Sequence, residues 1–347
     1  MKKLLLPALV LGLTLASCDI VELKDRNASS GADAAEWGLV SFSLGGGALP
    51  LGTRSTAQAA ESTVNSLQVL IYNSSNNLVA YASSRSGSLD ANVPLKIGGH
   101  VVYAAVNVSE DLSVCSTPAA LTTKISYLRD NSASGLQMFG SLPDQTFSSN
   151  STVTVEVRRF ASKVEIDEIV PDFKAASFRQ QEFQIKGIYL INVNGSCPFS
   201  QDPATGSTWY NPMQYVSGEC NALISDKFSS PVTIQTSAGI VSPYTTKHYF
   251  YCYPNPTQTD THGGTTFSPR RTRLVVETSL GGRTYYYPID IFGAGNVLNL
   301  NTAFTVTRLT ITGPGADNPD DLLENGTVSF SVSIKDWEKG FTKTVTY

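Results

Sequence analysis

Charge is scarce in this chain of 347 residues: Asp, Glu, Lys and Arg together make up 16% of it, against about 25% in an average soluble domain. The net charge of −4 offers no basic surface for a polyanion, which argues against nucleic-acid binding. Histidine is nearly absent, with His100, His248 and His262 alone. They form no H-E-x-x-H pair, and no G-x-S-x-G nucleophile elbow occurs, so metalloprotease and serine-hydrolase chemistry lack their usual carriers. Long apolar runs are missing after the first residues, and so is sustained helical periodicity. No repeat of fixed period is visible, which argues against a propeller or solenoid.

What the chain does have begins at its N-terminus. Met1-Lys2-Lys3 is basic, residues 4–16 are an apolar run of thirteen, and the run closes on Leu15-Ala16-Ser17-Cys18. That length is too short for a bilayer span but suits a secretory signal with a small-residue cleavage site. Leu-Ala-Ser-Cys is also the pattern of a bacterial lipobox, so residues 1–17 are expected to be a signal peptide and Cys18 an acylated first residue. Acyl chains contribute about 0.8 kcal/mol per buried CH₂, enough to hold such a protein on a membrane. Export as an outer-membrane lipoprotein follows as an expectation, and 330 residues then remain, enough for two ordinary domains.

Four further cysteines, Cys115, Cys197, Cys220 and Cys252, are an even number in an oxidising compartment. Three connectivities are open to them. Cys197 with Cys220, flanking one loop-rich stretch, is the favoured disulfide, and buried free thiols are the competing account.

Period-two alternation dominates the rest. Val328-Ser-Phe330-Ser-Val332-Ser-Ile334 and Val153-Thr-Val155-Glu-Val157 read as half-buried strands. Residues 67–72, 101–106 and 183–191 are further strands. Residues 273–280 and 283–289, joined by Gly281-Gly282, form a hairpin with a primed turn. A short helix is expected around residues 119–129, and residues 198–221 read as a long loop. Many short strands between polar turns indicate an all-β chain of antiparallel sandwiches. The domain boundary is placed near 158–162.

The search for reactive groups finds little. His248 and Cys252 lie four apart on one strand face with His262 beyond, which is thin support for a metal site. The acidic run Asp317, Asp320, Asp321 lacks the spacing of a helix-loop-helix calcium loop and reads as a solvated loop. The reading is therefore of a protein that is not an enzyme and needs no cofactor or metal.

Several segments follow one another in a familiar order. After the lipobox come residues 36–44 (Glu-Trp-Gly-Leu-Val-Ser-Phe-Ser-Leu), then Gly52-Thr53-Arg54-Ser55-Thr56 and a polar stretch ending in Glu61. Residues 64–73 make a strand, and mid-chain comes Val157-Arg-Arg-Phe-Ala161-Ser-Lys163-Val164-Glu-Ile166. Residues 300–315 follow near the end, and a last strand leads into Asp336-Trp337. This ordered set resembles the fimbrillin family of Bacteroidales-type pili over essentially the whole chain.

The resemblance implies two tandem transthyretin-like β-sandwich domains with Greek-key-like sheets. It implies a lipidated propeptide (18–54), an N-terminal domain (55–160) and a C-terminal domain (161–347). It implies a pilus subunit located at the cell surface, cut by an arginine-specific protease and joined to other subunits by strand exchange in the service of adhesion. On this sequence the cut is expected after Arg54, leaving Ser55 first; Arg26 is the other candidate, but a cut there would remove the lipid and keep the first strand. Val40, Phe42 and Leu44 would plug a groove, and losing three such side chains would forfeit about 5–9 kcal/mol. Phe341, Val345 and Tyr347, within 338–347, alternate as a donor strand, or equally as the last strand of the second domain. The partners implied are other pilus subunits, the outer membrane through Cys18, the protease, and a host or bacterial surface ligand. The competing reading is a static surface lipoprotein that binds glycan through Trp209, Tyr210, Tyr215 and Tyr285-Tyr286-Tyr287.

Overall fold

The computed structural model describes residues 20–21, 37–45, 61, 63–85, 93–96, 98–147, 151–202, 208–210, 221–236, 241–257, 270–292, 297–321, 328–336 and 343–346. For 20–21, 37–45, 93–96, 147, 151–154, 221, 328–336 and 343–346 the backbone alone is described. The described chain is dominated by strands, with a few single-turn helices between them.

The first half builds two facing sheets. Strands β1 (Ile20–Val21), β3 (Leu67–Asn73), β4 (Leu78–Ser84), β6 (Gly98–Val106), β8 (Met138–Phe147) and β10 (Arg158–Arg159) form one sheet in the order β1-β4-β3-β6-β8-β10. Strands β2 (Trp37–Gly45), β5 (Val93–Lys96) and β9 (Ser151–Glu156) form the other, in the order β5-β2-β9. Alternation along β3 sends Leu67, Val69 and Ile71 to one face and Leu70 and Tyr72 to the other. The first set joins Ala80, Ala82, Val102, Ala104 and Val155 in a core of its own. The second set opens onto the larger core that the two halves share. The large sheet is thus covered on both faces, which is why β3 is buried at six consecutive positions rather than at every other one.

The second half holds β11 (Ser162–Ile166), β12 (Ile169–Pro171), β13 (Phe183–Ile191), β17 (Ser225–Ile234), β18 (His248–Cys252), β19 (Arg273–Leu280), β20 (Arg283–Asp290), β21 (Thr302–Ile311), β22 (Val328–Asp336) and β23 (Lys343–Thr346). One sheet runs β18-β11-β21-β22-β23 and the other β17-β13-β19-β20. Val164, Ile166, Phe304 and Val306 from the first meet Ile185, Ile188, Leu274 and Val276 from the second in the shared core. The β19–β20 hairpin turns on Gly281 and Gly282, with φ of 58° and 84°. Two successive left-handed residues define a type I′ turn, which is the reason for the Gly-Gly pair.

The halves are sewn together. Strand β7 (Ile125–Tyr127) from the first half pairs with β15 (Ser196–Pro198) from the second. Phe139, Phe160, Phe199 and Tyr253 pack as an aromatic cluster across the seam. The Tyr253 hydroxyl accepts from Asn131 Nδ2 at 2.8 Å and also hydrogen-bonds the Ser126 hydroxyl.

Three sequence expectations change. The helix read at 119–129 is a single turn, Pro118–Thr122, capped by Thr117; residues 125–127 leave it to pair with β15, because cross-seam pairing outweighs local propensity. The loop read at 198–221 contains a short strand, Trp209–Tyr210, paired with Val193–Asn194. The sheets are mixed rather than purely antiparallel: β2 runs parallel to β9, and β11 and β12 run parallel to β21. Alternation reports which face is buried and is blind to strand direction.

Candidate functional site

The feature of the fold with most functional content is the seat of β2. The strand lies between β5 and β9, and its two ends are held differently. Trp37 to Val40 pair antiparallel with Lys96 to Val93, and Val40 to Gly45 pair parallel with Ser151 to Glu156. Val40 is the one register position opposed on both sides. Cross-strand partners share a face, so the positions of Val40, Phe42 and Leu44 share the face of Ser151, Val153 and Val155. Val155 is 2% exposed and belongs to the core under this sheet. The flanking strands have supports of their own: β9 lies against β6 and β8, and β5 against β4. At Gly140 on β8 a Cβ would lie 1.9 Å from the Glu156 carbonyl, so the close approach of β9 requires glycine there.

The chain's other end is seated more simply. Strand β23 is an edge strand, pairing on one side with β22 through Ser331 to Ile334, with Val345 opposite Val332. Phe341 and Tyr347 lie outside the described residues, as do Cys18, Arg54 and Ser55.

The other candidate chemistry resolves into packing and ion pairs. His248 Nδ1 sits 2.7 Å from Asp226 Oδ2 and its Nε2 2.8 Å from the Tyr244 hydroxyl, so both ring nitrogens are engaged. Cys252 is fully buried, and burial pushes its thiol up to about 12, far from the thiolate a metal needs. His262 lies outside the described residues. Among the described residues no group of three or more His, Cys, Asp or Glu side chains is placed to hold a metal ion.

The acidic run is neutralised by arginine. Asp317 pairs with Arg283 at 2.8 Å, and Asp320 pairs with Arg270 at 2.9 Å and with the buried Arg273 at 3.5 Å. Ala316 also bridges to Tyr286 in both directions at 2.9 Å, so this segment covers part of the β20 edge. The expected solvated loop holds for Asp317 and Asp321, which are exposed, whereas the buried Asp320 anchors the segment. Its arginine partners lie 34 to 50 residues away, a separation that no local pattern in the sequence reports.

Cys197 is a free, buried thiol whose pKa burial raises to about 12. Cys220, its suggested partner, lies outside the described residues. Of the aromatics considered as a sugar platform, Trp209, Tyr210 and Tyr287 are buried. Tyr285 and Tyr286 are half-buried, and Tyr215 is outside the described residues.

Sequence reasoning passed over the importance of one further group. Glu61 is 1% exposed and pairs with Lys163 at 2.8 Å, while the Tyr251 hydroxyl donates to it at 2.7 Å. Each residue falls in or beside a segment quoted above, but nothing local in the sequence links them.

Neither a protein-family model nor a curated relative matches this sequence. Solved structures do match it in fold. A candidate cell adhesion protein from Bacteroides eggerthii is similar with a TM-score of 0.63 at 17% identity, over 88% of this chain and 98% of that one. A fimbrilin from Porphyromonas gingivalis W83 gives 0.62 at 14% identity, over 88% and 98%. The tip fimbrial protein Mfa3 from Porphyromonas gingivalis, with a C-terminal truncation, gives 0.53 at 14% identity, over 87% and 99%. These neighbours are named for fimbriae and adhesion, and the all-β architecture of this chain is the fold they share.

Proposed function

We propose that this chain is a structural subunit of a pilus, exported as a lipoprotein through Cys18, cut after Arg54 and polymerised by strand exchange. The observation that carries the reading is the seat of β2. A strand held between two others cannot leave without creating two unpaired edges and uncovering the core beneath. A cut in the segment that joins it to the rest of the chain makes it a separable peptide. The vacated slot between β5 and β9 would then accept an extended strand, with backbone hydrogen bonds supplying affinity and alternate side chains supplying register. The edge strand β23, paired on one side only, is the segment of a neighbouring copy that would fill it. The fimbrial and adhesion neighbours support the same class of role at the cell surface.

The test is the N-terminus and intact mass of the protein recovered from cell surfaces. A chain of 293 residues beginning at Ser55 is expected of a processed subunit. A chain still beginning at acylated Cys18 would contradict the polymerising role and leave a static lipoprotein.

A further inference from the structure

The first described residue after β2 is Glu61, and it is not held by the first half alone. Its backbone carbonyl accepts from Arg159 Nε on β10 at 3.3 Å. Its carboxylate meets Lys163 on β11 at 2.8 Å and the Tyr251 hydroxyl on β18 at 2.7 Å. Lys163 also pairs with Glu165 at 2.7 Å and lies 4.6 Å from the centre of the Tyr249 ring. Strand β10 closes the large sheet of the first half, whereas β11 and β18 belong to the second. Glu61, Arg159 and Lys163 are all buried, so these bonds are shielded from the water and salt that weaken surface pairs.

A second fastener follows at once. Asn107, with φ of 59°, accepts from the Asn65 backbone at 2.7 Å and donates to the Thr63 carbonyl at 2.9 Å. It also donates to the Leu136 carbonyl at 2.9 Å.

We propose that Glu61 is the first fixed point of the chain retained after the cut, an anchor that ties it to the seam between the two halves. This deepens the reading of β2 as a removable plug and rests on it. Loss of β2 opens one face of the first half, and a loose new N-terminus beside it would fray into β3. With Glu61 clamped between Arg159, Lys163 and Tyr251, fraying stops ahead of Thr63. The seam stays closed while the slot is empty.

The full chain from Asp19 onward tests this by two readouts on Glu61→Ala and Glu61→Gln. Lys163 keeps Glu165 as a partner in both variants, so both are expected to fold. Limited digestion with a non-specific protease should leave a core starting at or before Glu61 in the parent and beyond it in Glu61→Ala. Amide exchange over residues 159–166 should rise at least about tenfold in Glu61→Ala and less in Glu61→Gln, with β13 and β19 unchanged. Identical digestion starts with unchanged exchange would overturn the anchor, and so would a rise spread evenly over the molecule. Neither readout needs cleavage at Arg54. A native N-terminus other than Ser55 would therefore count against the pilus reading and not against the anchor.

Discussion

Strands β2 and β23 come from the two ends of the chain, and the fold treats them in opposite ways. The first has nine residues and a neighbour on each side; the second has four and a single neighbour. Backbone pairing is worth about 0.5–1.5 kcal/mol per hydrogen bond, whereas a buried group left unpaired costs about 1–3 kcal/mol. Removing β2 is costly because β5 and β9 are orphaned together above a core. Removing β23 orphans one side of β22. On the proposed reading, a strand of the first kind leaves only when the chain is cut, whereas a strand of the second kind would peel away by thermal opening. By the same reading, a fold with one end locked and the other lightly held suits heterologous, head-to-tail addition, which gives a filament when its rotation does not close into a ring.

Preventing the cut is expected to have the largest effect. Arg54→Ala should abolish high-mass assemblies on cells, read by sedimentation of surface extracts, while monomer yield stays unchanged. Assembly at the parent level would show that β2 need not leave.

Alkaline pH should separate the two halves next. Burial raises the pKa of Tyr72, Tyr81 and Tyr103 in the first half and of Tyr189, Tyr244, Tyr251, Tyr253, Tyr286 and Tyr287, twice as many, in the second. A folded-state value above the unfolded one gives stability that is fully present below the unfolded pKa, near 10, and is lost as pH rises from there. Each such tyrosine removes up to about 1.4 kcal/mol per pH unit in that range. The second half, with β23, should therefore unfold first above about pH 10, followed by near-ultraviolet dichroism and amide exchange.

A matched pair of proline substitutions tests the pairing itself. Val40→Pro, at the position opposed on both sides, should cost about 3 kcal/mol in denaturant unfolding, since a central strand cannot spare the donor. Thr344→Pro, opposed only by Ser333, should cost about 1 kcal/mol or less. The second variant should nonetheless fail to polymerise with cut parent subunits. Equal costs at the two sites would remove the asymmetry from which the comparison starts.

The degree to which these features could be read from sequence follows from range. The β19–β20 hairpin was legible to the residue at its start and turn, because a Gly-Gly pair between alternating runs has a local physical meaning. So was β13, where alternation at Phe183 and Ile185 leads into the apolar residues 188–191. The apolar positions of β2 were visible as alternation, but not that β9 runs parallel beside it, about 110 residues later in a pairing no local pattern encodes. The segment 313–321 was only partly legible for the same reason: Asp317 and Asp321 are exposed as its composition suggests, but the burial of Asp320 depends on Arg270 and Arg273 from elsewhere. Glu61 looked like the end of a polar stretch, and only the seam shows why a carboxylate is buried there.

On the proposed reading, the slot left by β2 is refilled by the last strand of another copy. The most direct measurement pairs Val153→Cys on β9 in one copy with Val345→Cys on β23 in a second, mixed with and without prior cleavage at Arg54. Native Cys115, Cys197 and Cys252 are buried and should contribute little background. A disulfide between copies that forms only after cleavage is the predicted result. Cleaved subunits that assemble without that cross-link, or a cross-link that forms equally in uncut chains, would contradict it.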